Sequence, residues 1–316
     1  MALEITVAGL FAGVGGIELG FEQAGFRPVV ANEIDSYAAL TYELNHKHEL
    51  VVGDIKDFST SFLPQDLGVL AGGFPCQPFS VAGLRKGFDD DRGNVYWEIE
   101  RLIRDRRPRV VFLENVKNLI SHDKGNTFRT IEDSLSNLGY FVTYDVLNAT
   151  EYGNVPQNRE RIYIVAFREK SDYANFSWPQ PIPLQLSLRD FVDFEAKVDD
   201  KYYYDDSRPF FDELKRGITR SETVYQWRRQ YVRENKSGVC PTLTANMGMG
   251  GHNVPLVLSR HGIRKLTPRE CFKLMGFGEI KLPNLIAESR LYKQAGNSVV
   301  VPVIRRIAEQ IMKALS

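Results

Sequence analysis

The chain has 316 residues, 43% of them apolar and 25% charged, which fits one large folded domain or one domain with a smaller companion. Its 40 basic and 40 acidic side chains cancel, so no global field draws it onto nucleic acid and any such surface must be local. Three cysteines, Cys76, Cys240 and Cys271, with no Cys-x-x-Cys pair, argue against a disulfide framework and a zinc site and suit a reducing cytosol. No basic stretch followed by a long apolar run opens the chain and no apolar run reaches transmembrane length, so a cytoplasmic protein without membrane or metal is expected.

Residues 5–11 read as a buried strand, followed by the glycine-rich run Ala12-Gly13-Val14-Gly15-Gly16 and a helix over 17–24 that Gly25 stops. A second strand over 29–34 ends in Glu33-Ile34-Asp35, a helix spans 36–45, and a third strand over 50–52 closes at Gly53-Asp54-Ile55. Residues 67–71 form a fourth strand, and 110–113 a fifth that ends at Glu114-Asn115-Val116. Helices are expected over 95–106 and 127–138, and further strands over 141–148 and 161–167. Alternating strand and helix predicts an α/β fold with a doubly wound, mostly parallel, Rossmann-like sheet. Ligands of such a sheet sit outside the carboxyl ends of its strands. Gly13, Glu33, Asp54, Cys76 and Glu114 all fall on that expected rim.

The pattern breaks at Trp178-Pro179-Gln180-Pro181-Ile182-Pro183, which reads as a linker. The following stretch, to about residue 258, has poor periodicity and is rich in Tyr, Arg and Gly, as expected of a smaller domain of short strands and loops. A helix capped by Thr267, with Pro268 at its first position, and a last helix over 302–315 complete the chain.

The segment Gly72-Gly73-Phe74-Pro75-Cys76-Gln77-Pro78 places one thiol in a stiff loop at a strand end. Pro75 fixes its own φ and Pro78 restrains Gln77. A positioned thiolate is a good nucleophile, although such a turn taken alone more often holds a buried cysteine. The loop from Phe11 to Gly16 lets backbone approach a nucleotide-like ligand. Glu33 is placed to take two ribose hydroxyls, and Asp54 to accept from an adenine amino group; together they describe an adenosine pocket, and a NAD pocket, the competing reading, gives the nucleophile loop no role in hydride transfer. Glu114 lies on the strand beside the Cys76 loop. Arg159 and Arg161 alternate in a strand-like run and are expected to share a face, where paired guanidinium groups suit phosphate and carbonyl oxygens.

Six blocks in this order, Phe-Ala-Gly-Val-Gly-Gly at 11–16, Pro-Cys-Gln at 75–77, Glu-Asn-Val at 114–116, Gln-Asn-Arg-Glu-Arg at 157–161, Leu-Thr-Pro-Arg-Glu-Cys at 266–271 and Gly-Asn-Ser at 296–298, resemble the DNA (cytosine-5)-methyltransferases. The likeness is to the bacterial modification type, nearest the compact HhaI-type methylases, and covers nearly the whole chain except about residues 181–255.

The resemblance implies a catalytic S-adenosylmethionine-binding domain at 1–180 and 289–316, and a target-recognition domain and hinge at 181–288. Phe11, Gly13, Gly15, Gly16, Glu33, Ile34, Asp54, Ile55, Pro75, Asn297 and Ser298 are then expected around S-adenosylmethionine. Ile34 stands where a relative has a tryptophan over the adenine. Cys76 is expected as the nucleophile towards carbon 6 of cytosine, Glu114 at ring nitrogen 3 and the exocyclic amine, and Arg161 with Arg159 at the base carbonyl and nearby phosphate. A mobile loop over 80–94, with Ser80 and Arg92, is expected to close on the flipped base. In the smaller domain Arg228, Arg229, Arg233, Lys236, Thr242 and Leu243 match the recognition loops in position and would contact DNA. The expected partner is double-stranded DNA and the expected state a monomer in a bacterial cytoplasm, as the modification enzyme of a restriction-modification system. The alternatives are a transfer-RNA methyltransferase of the same family and a non-catalytic DNA-binding accessory protein. Cys76 and Glu114 argue against the latter.

Overall fold

The computed structural model describes residues 4–75, 95–228, 230–249 and 253–316. Cys76, Ser80, Arg92 and Arg229 lie outside the described residues. The chain packs as two compact bodies. The first comprises residues 1–147, 160–179 and 304–316, and the second residues 148–159 and 180–303. Residues 289–303, expected with the catalytic region, pack within the second body, as do residues 148–159.

The first body is built on a seven-stranded sheet. Its strands are β1 (Thr6–Leu10), β2 (Arg27–Glu33), β3 (Glu49–Val52), β4 (Val69–Gly73), β5 (Val110–Val116), β6 (Phe141–Asn148) and, after a two-residue β7 (Gln157–Asn158) in the second body, β8 (Glu160–Phe167). The order across the sheet is β3-β2-β1-β4-β5-β8-β6. Strands β3 to β5 pair in parallel, and β8 runs antiparallel to β5. Every residue of β1 is buried, as a central strand covered on both faces requires. Helix α1 (Gly16–Gln23) ends where Gly25 adopts φ 95°, the left-handed position that stops a helix cheaply only with glycine. Helix α2 (Ser36–Asn45) starts at Asp35, whose carboxylate accepts from the Tyr37 and Ala38 amides.

On the core side, α3 (Val95–Arg106) and α4 (Asn126–Asn137) contribute Tyr96, Ile99, Leu102, Ile103, Ile131 and Leu135. These pack in one cluster with Leu70, Val111, Leu113 and Ile164 of the sheet. Fully burying each such aliphatic chain stabilises the fold by about 1.5–3 kcal/mol. Strand β4 runs two residues beyond the predicted stretch, through both glycines. A Cβ on Gly72 would stand 3.1 Å from the Leu10 carbonyl oxygen, and one on Gly73 would stand 3.2 Å from Glu114 Oε2. The bare backbone is what lets the strand continue to the rim.

The second body holds a four-stranded antiparallel sheet, ordered β10-β9-β12-β13. Its strands are β9 (Tyr225–Trp227), β10 (Val232–Glu234), β12 (Leu256–Ser259) and β13 (Gly262–Lys265). A helix over 211–217 supplies Leu214 to a core with Ile218, Tyr225, Leu256 and Ile263. The two-residue β11 (Cys240–Pro241) pairs in parallel with β7. The predicted Thr267 cap is a full capping box on Pro268–Lys273, in which Thr267 and Glu270 satisfy each other's backbone amides.

Candidate active site

Strand ends in the first body bring the expected carboxylates to one rim. The loop after β1 turns sharply: Phe11 adopts φ 53° and Gly13 φ 57°. For phenylalanine this is a costly conformation, of the kind that persists where surrounding structure imposes it. The Gly13 amide donates to Glu33 Oε2 at 2.7 Å, and the Asp35 amide donates to Glu33 Oε1 at 2.7 Å. Glu33 is thus buried at the end of β2 with each oxygen holding one backbone amide, and each oxygen retains a lone pair for a further donor. A Cβ on Gly13 would meet nothing within 4 Å, so space opens beside that amide.

Next to it, Ile34 is 64% exposed, an apolar surface at the sheet rim. Asp54 uses one oxygen to accept from the Lys56 amide at 3.0 Å, while Ile55 is buried behind it. The side-chain amide of Asn32 donates to the Val51 and Gly53 carbonyls, which fixes the end of β3 against β2.

On the other side of β1, register pairs Gly73 of β4 with Glu114 of β5, and Val116 with Arg161 of β8. Arg161 is therefore a diagonal cross-strand neighbour of Glu114. Its Nε lies 3.1 Å from Glu114 Oε1, and both side chains are largely buried. Asn115 donates its side-chain amide to the Phe74 carbonyl at 2.9 Å, which ties the segment entering Pro75 and Cys76 to β5.

Arg159 does not share partners with Arg161. It is buried in the second body, where its guanidinium donates to the carbonyls of Leu243 (2.6 Å), Gly296 (3.2 Å) and Ser298 (2.5 Å). In that body Asn297 is exposed and Ser298 buried. Leu243 is buried too, and the Thr242 hydroxyl donates to the Asn158 carbonyl at 2.6 Å. Arg228, Arg233 and Lys236 are exposed on and beside the β9–β10 hairpin, where the Arg228 amide donates to the Tyr231 carbonyl.

Several supporting residues carry no signal in the sequence spacing. His46 lies against the glycine loop, with Nε2 3.1 Å from the Val14 carbonyl oxygen. A Cβ on Gly15, which adopts φ +87°, would stand 1.9 Å from that nitrogen. Desolvation lowers the His46 pKa, and a ring nitrogen that faces a carbonyl oxygen must carry the proton to bond it. Glu18 of α1 is 1% exposed, and neither carboxyl oxygen has a hydrogen-bond partner. Its Oε1 occupies the space where a Cβ on Gly9 would sit, and Gly9 pairs with Ala31 and Ala71 on either side. A row of small residues in the sheet thus makes the slot that receives Glu18.

Comparison with known proteins decides the family. The family model for C-5 cytosine-specific DNA methylase matches residues 5–313. The chain belongs to the C-5 cytosine-specific DNA methylases. It is 57% identical over 314 residues to the Type II methyltransferase M.Bsp6I of Bacillus sp. (strain RFL6), covering 98% of this chain and 99% of that protein. It is 36% identical to the Type II methyltransferase M.HhaI of Haemophilus parahaemolyticus, covering 97% and 94%. The solved structure of the S. pombe Dnmt2 methyltransferase shares the fold, with TM-score 0.74 over 99% of both chains at 19% identity. This C-5 cytosine methylase is thus a DNA (cytosine-5)-methyltransferase with the expected mostly parallel, Rossmann-like sheet and a separate small antiparallel sheet. Among the described residues no helix is long and apolar enough to cross a membrane and no cluster of side chains suits a metal ion.

Proposed function

We propose that the chain transfers a methyl group from S-adenosylmethionine to carbon 5 of a flipped-out cytosine in a short duplex sequence, through covalent catalysis by Cys76, as the modification enzyme of a restriction-modification system. The Glu114–Arg161 pair carries this reading, because it stands beside the strand that leads through Pro75 to Cys76. A carboxylate and a guanidinium at that spacing match ring nitrogen 3 with its amine, and the carbonyl, of one cytosine.

The first body's residues fit the methyl donor. Glu33 retains lone pairs for two ribose hydroxyls, Ile34 offers an exposed apolar face for adenine, and Asp54 has an oxygen for its amine. The space at Gly13 and the start of α1, which no side chain caps, suit the amino-acid end. Phe11, Gly15, Gly16, Ile55, Pro75, Asn297 and Ser298 are assigned to the same ligand from the family resemblance. S-adenosylmethionine supplies an electrophilic sulfonium methyl when bound.

Carbon 5 of cytosine is a poor nucleophile. The Cys76 thiolate adds to carbon 6, forming a carbon–sulfur bond and pushing electron density to carbon 5. Glu114 holds a proton at ring nitrogen 3 and so stabilises the charge that develops there. Arg161 orients Glu114 and donates to the base carbonyl. Carbon 5 would then take the methyl group as the methyl–sulfur bond breaks and its electron pair stays on the sulfur as a neutral thioether; loss of the carbon-5 proton, whose electron pair re-forms the ring double bond, would expel the Cys76 thiolate. This ring is out of reach inside a duplex, so the base must leave the stack.

Bisulfite sequencing of plasmid DNA from cells expressing the protein tests the reading. Full protection of one cytosine within one short sequence is expected. Unprotected plasmid with protected transfer RNA would overturn it.

A further inference from the structure

We propose that Arg159, with Gln157, is a positioning residue: a buried brace that holds the segment 240–245 and the turn 296–298 as one rigid unit, and not a contact to DNA. This rests on the methyltransferase reading above and names how two of its expected binding segments are kept in register.

Four observations in the second body converge. The Arg159 guanidinium reaches three backbone carbonyls, of Leu243, Gly296 and Ser298, that lie 84, 137 and 139 residues from it in sequence. The Gln157 side chain works from the same strand. Its Nε2 donates to the Leu274 carbonyl at 2.7 Å, and its Oε1 accepts from the Leu243 amide at 3.1 Å. Both peptide groups of Leu243 are therefore held by one short stretch, whose backbone also pairs Gln157 with Cys240 and Asn158 with Pro241. Lastly, Gly296 lies directly on Thr244: a Cβ there would stand 2.1 Å from the Thr244 carbonyl carbon and 2.4 Å from the Ala245 amide. The two segments touch backbone to backbone, and Arg159 ties them across that contact.

The flanking residues give the brace its consequence. Asn297, exposed between the two carbonyls that Arg159 holds, is assigned to the methyl donor. Thr244, exposed beside the third carbonyl, lies in the segment assigned to DNA. A guanidinium presents its donors in a rigid planar fork, which fixes three acceptors at once. An ammonium is a point charge on a flexible stem and cannot reproduce that geometry. Lysine would, however, serve as well at a single phosphate.

Arg159→Lys therefore separates the two roles. We expect it to fold, to weaken S-adenosylmethionine binding by calorimetry and to raise KM for the unmethylated substrate duplex, each by about tenfold, the scale of one lost charged hydrogen bond. The salt dependence of DNA binding should keep its wild-type slope. Arg159→Met, which keeps the apolar stem, is the second variant, and it too should leave that slope unchanged.

The proposal is overturned if Arg159→Lys binds both ligands like wild type, or if Arg159→Met lowers the slope of log affinity against log salt by about 0.9, the signature of one lost phosphate contact. Should Arg159→Met not fold, the Arg159→Lys affinities alone decide. A wild-type protein that binds neither ligand would instead refute the methyltransferase reading, and the brace would then be judged by thermal melting of Arg159→Lys.

Discussion

In the first body, the strand-end carboxylates keep bonding capacity directed at the rim. Glu33 accepts only one amide on each oxygen, Asp54 spends one oxygen on a local turn, and open space adjoins Gly13. In the second body, buried charge is consumed internally. Arg264, fully buried, makes a two-pronged pair with Glu270 at 2.7 and 2.8 Å and donates to the Asp193 carbonyl at 2.6 Å. Arg159 is held by carbonyls in the same way. Buried ions of this second kind stabilise a local architecture and have little left for a ligand. Those of the first kind are satisfied just enough to be held in place. The block 157–161 shows both within five residues: Arg159 is a brace, and Arg161 pairs with a candidate catalytic carboxylate.

That contrast is sharpened by changing one carboxylate of each kind. Glu114→Gln removes the group proposed to stabilise charge on the ring, and kcat in single-turnover methylation should fall by about 10²–10⁴-fold. Its melting temperature should fall less than that of the Glu270 variant, since Arg161 keeps some exposure and glutamine still accepts from it. Glu270→Gln should do the opposite. It leaves the Arg264 guanidinium buried without its counter-charge, at a cost of roughly 3–5 kcal/mol of stability in denaturant unfolding, while the rate per folded molecule is retained. If Glu114→Gln melts early with full activity, the division between the two kinds of carboxylate fails.

The last effect depends on pH and concerns Glu18. Burial, and secondarily the charge of Glu33, push its pKa up to about 8 from 4.5. The charge of Glu22 on the same helix and the Tyr42 hydroxyl of α2 lie nearby as well. A raised carboxyl pKa means that the folded state holds a proton the unfolded chain releases near pH 4.5. The stability this group allows is full below that pH and is lost as pH rises towards 8, by at most about 1.4 kcal/mol per pH unit. Urea unfolding at a series of pH values across that window should show Glu18→Gln with a flatter slope and a growing advantage over wild type. Parallel slopes for the two proteins would show that Glu18 is ionised in the fold or hydrated.

Much of this was legible in the sequence because strand ends and glycine loops obey local rules. The rim positions of Gly13, Glu33, Asp54 and Glu114 follow from hydrophobic runs ending at turn signals. The Gly25 stop and the Thr267 cap follow from backbone conformation alone. What the pattern concealed depends on long-range packing. Arg159 and Arg161 alternate as if on one strand, but β8 begins at Glu160 and the chain passes between the two bodies there. Leu243 was expected at the DNA, yet its side chain is buried. His46 supports the glycine loop from 32 residues away, and no local spacing marks such a contact. Glu18 carries no signal in the sequence spacing. Only the row Ala31, Gly9, Ala71 across three strands shows that it points inward.

The central claim is that Cys76 attacks the base while Glu114 holds it. A duplex carrying 5-fluorocytosine at the position identified by bisulfite sequencing tests this most directly, because fluorine at carbon 5 cannot leave as the proton does and the enzyme remains attached. Wild type with S-adenosylmethionine should give a protein–DNA species that survives denaturing electrophoresis, Cys76→Ser should give none, and Glu114→Gln should form it far more slowly. A Cys76→Ser protein that still forms the species, or that methylates ordinary duplex at a near-normal rate, would contradict the account.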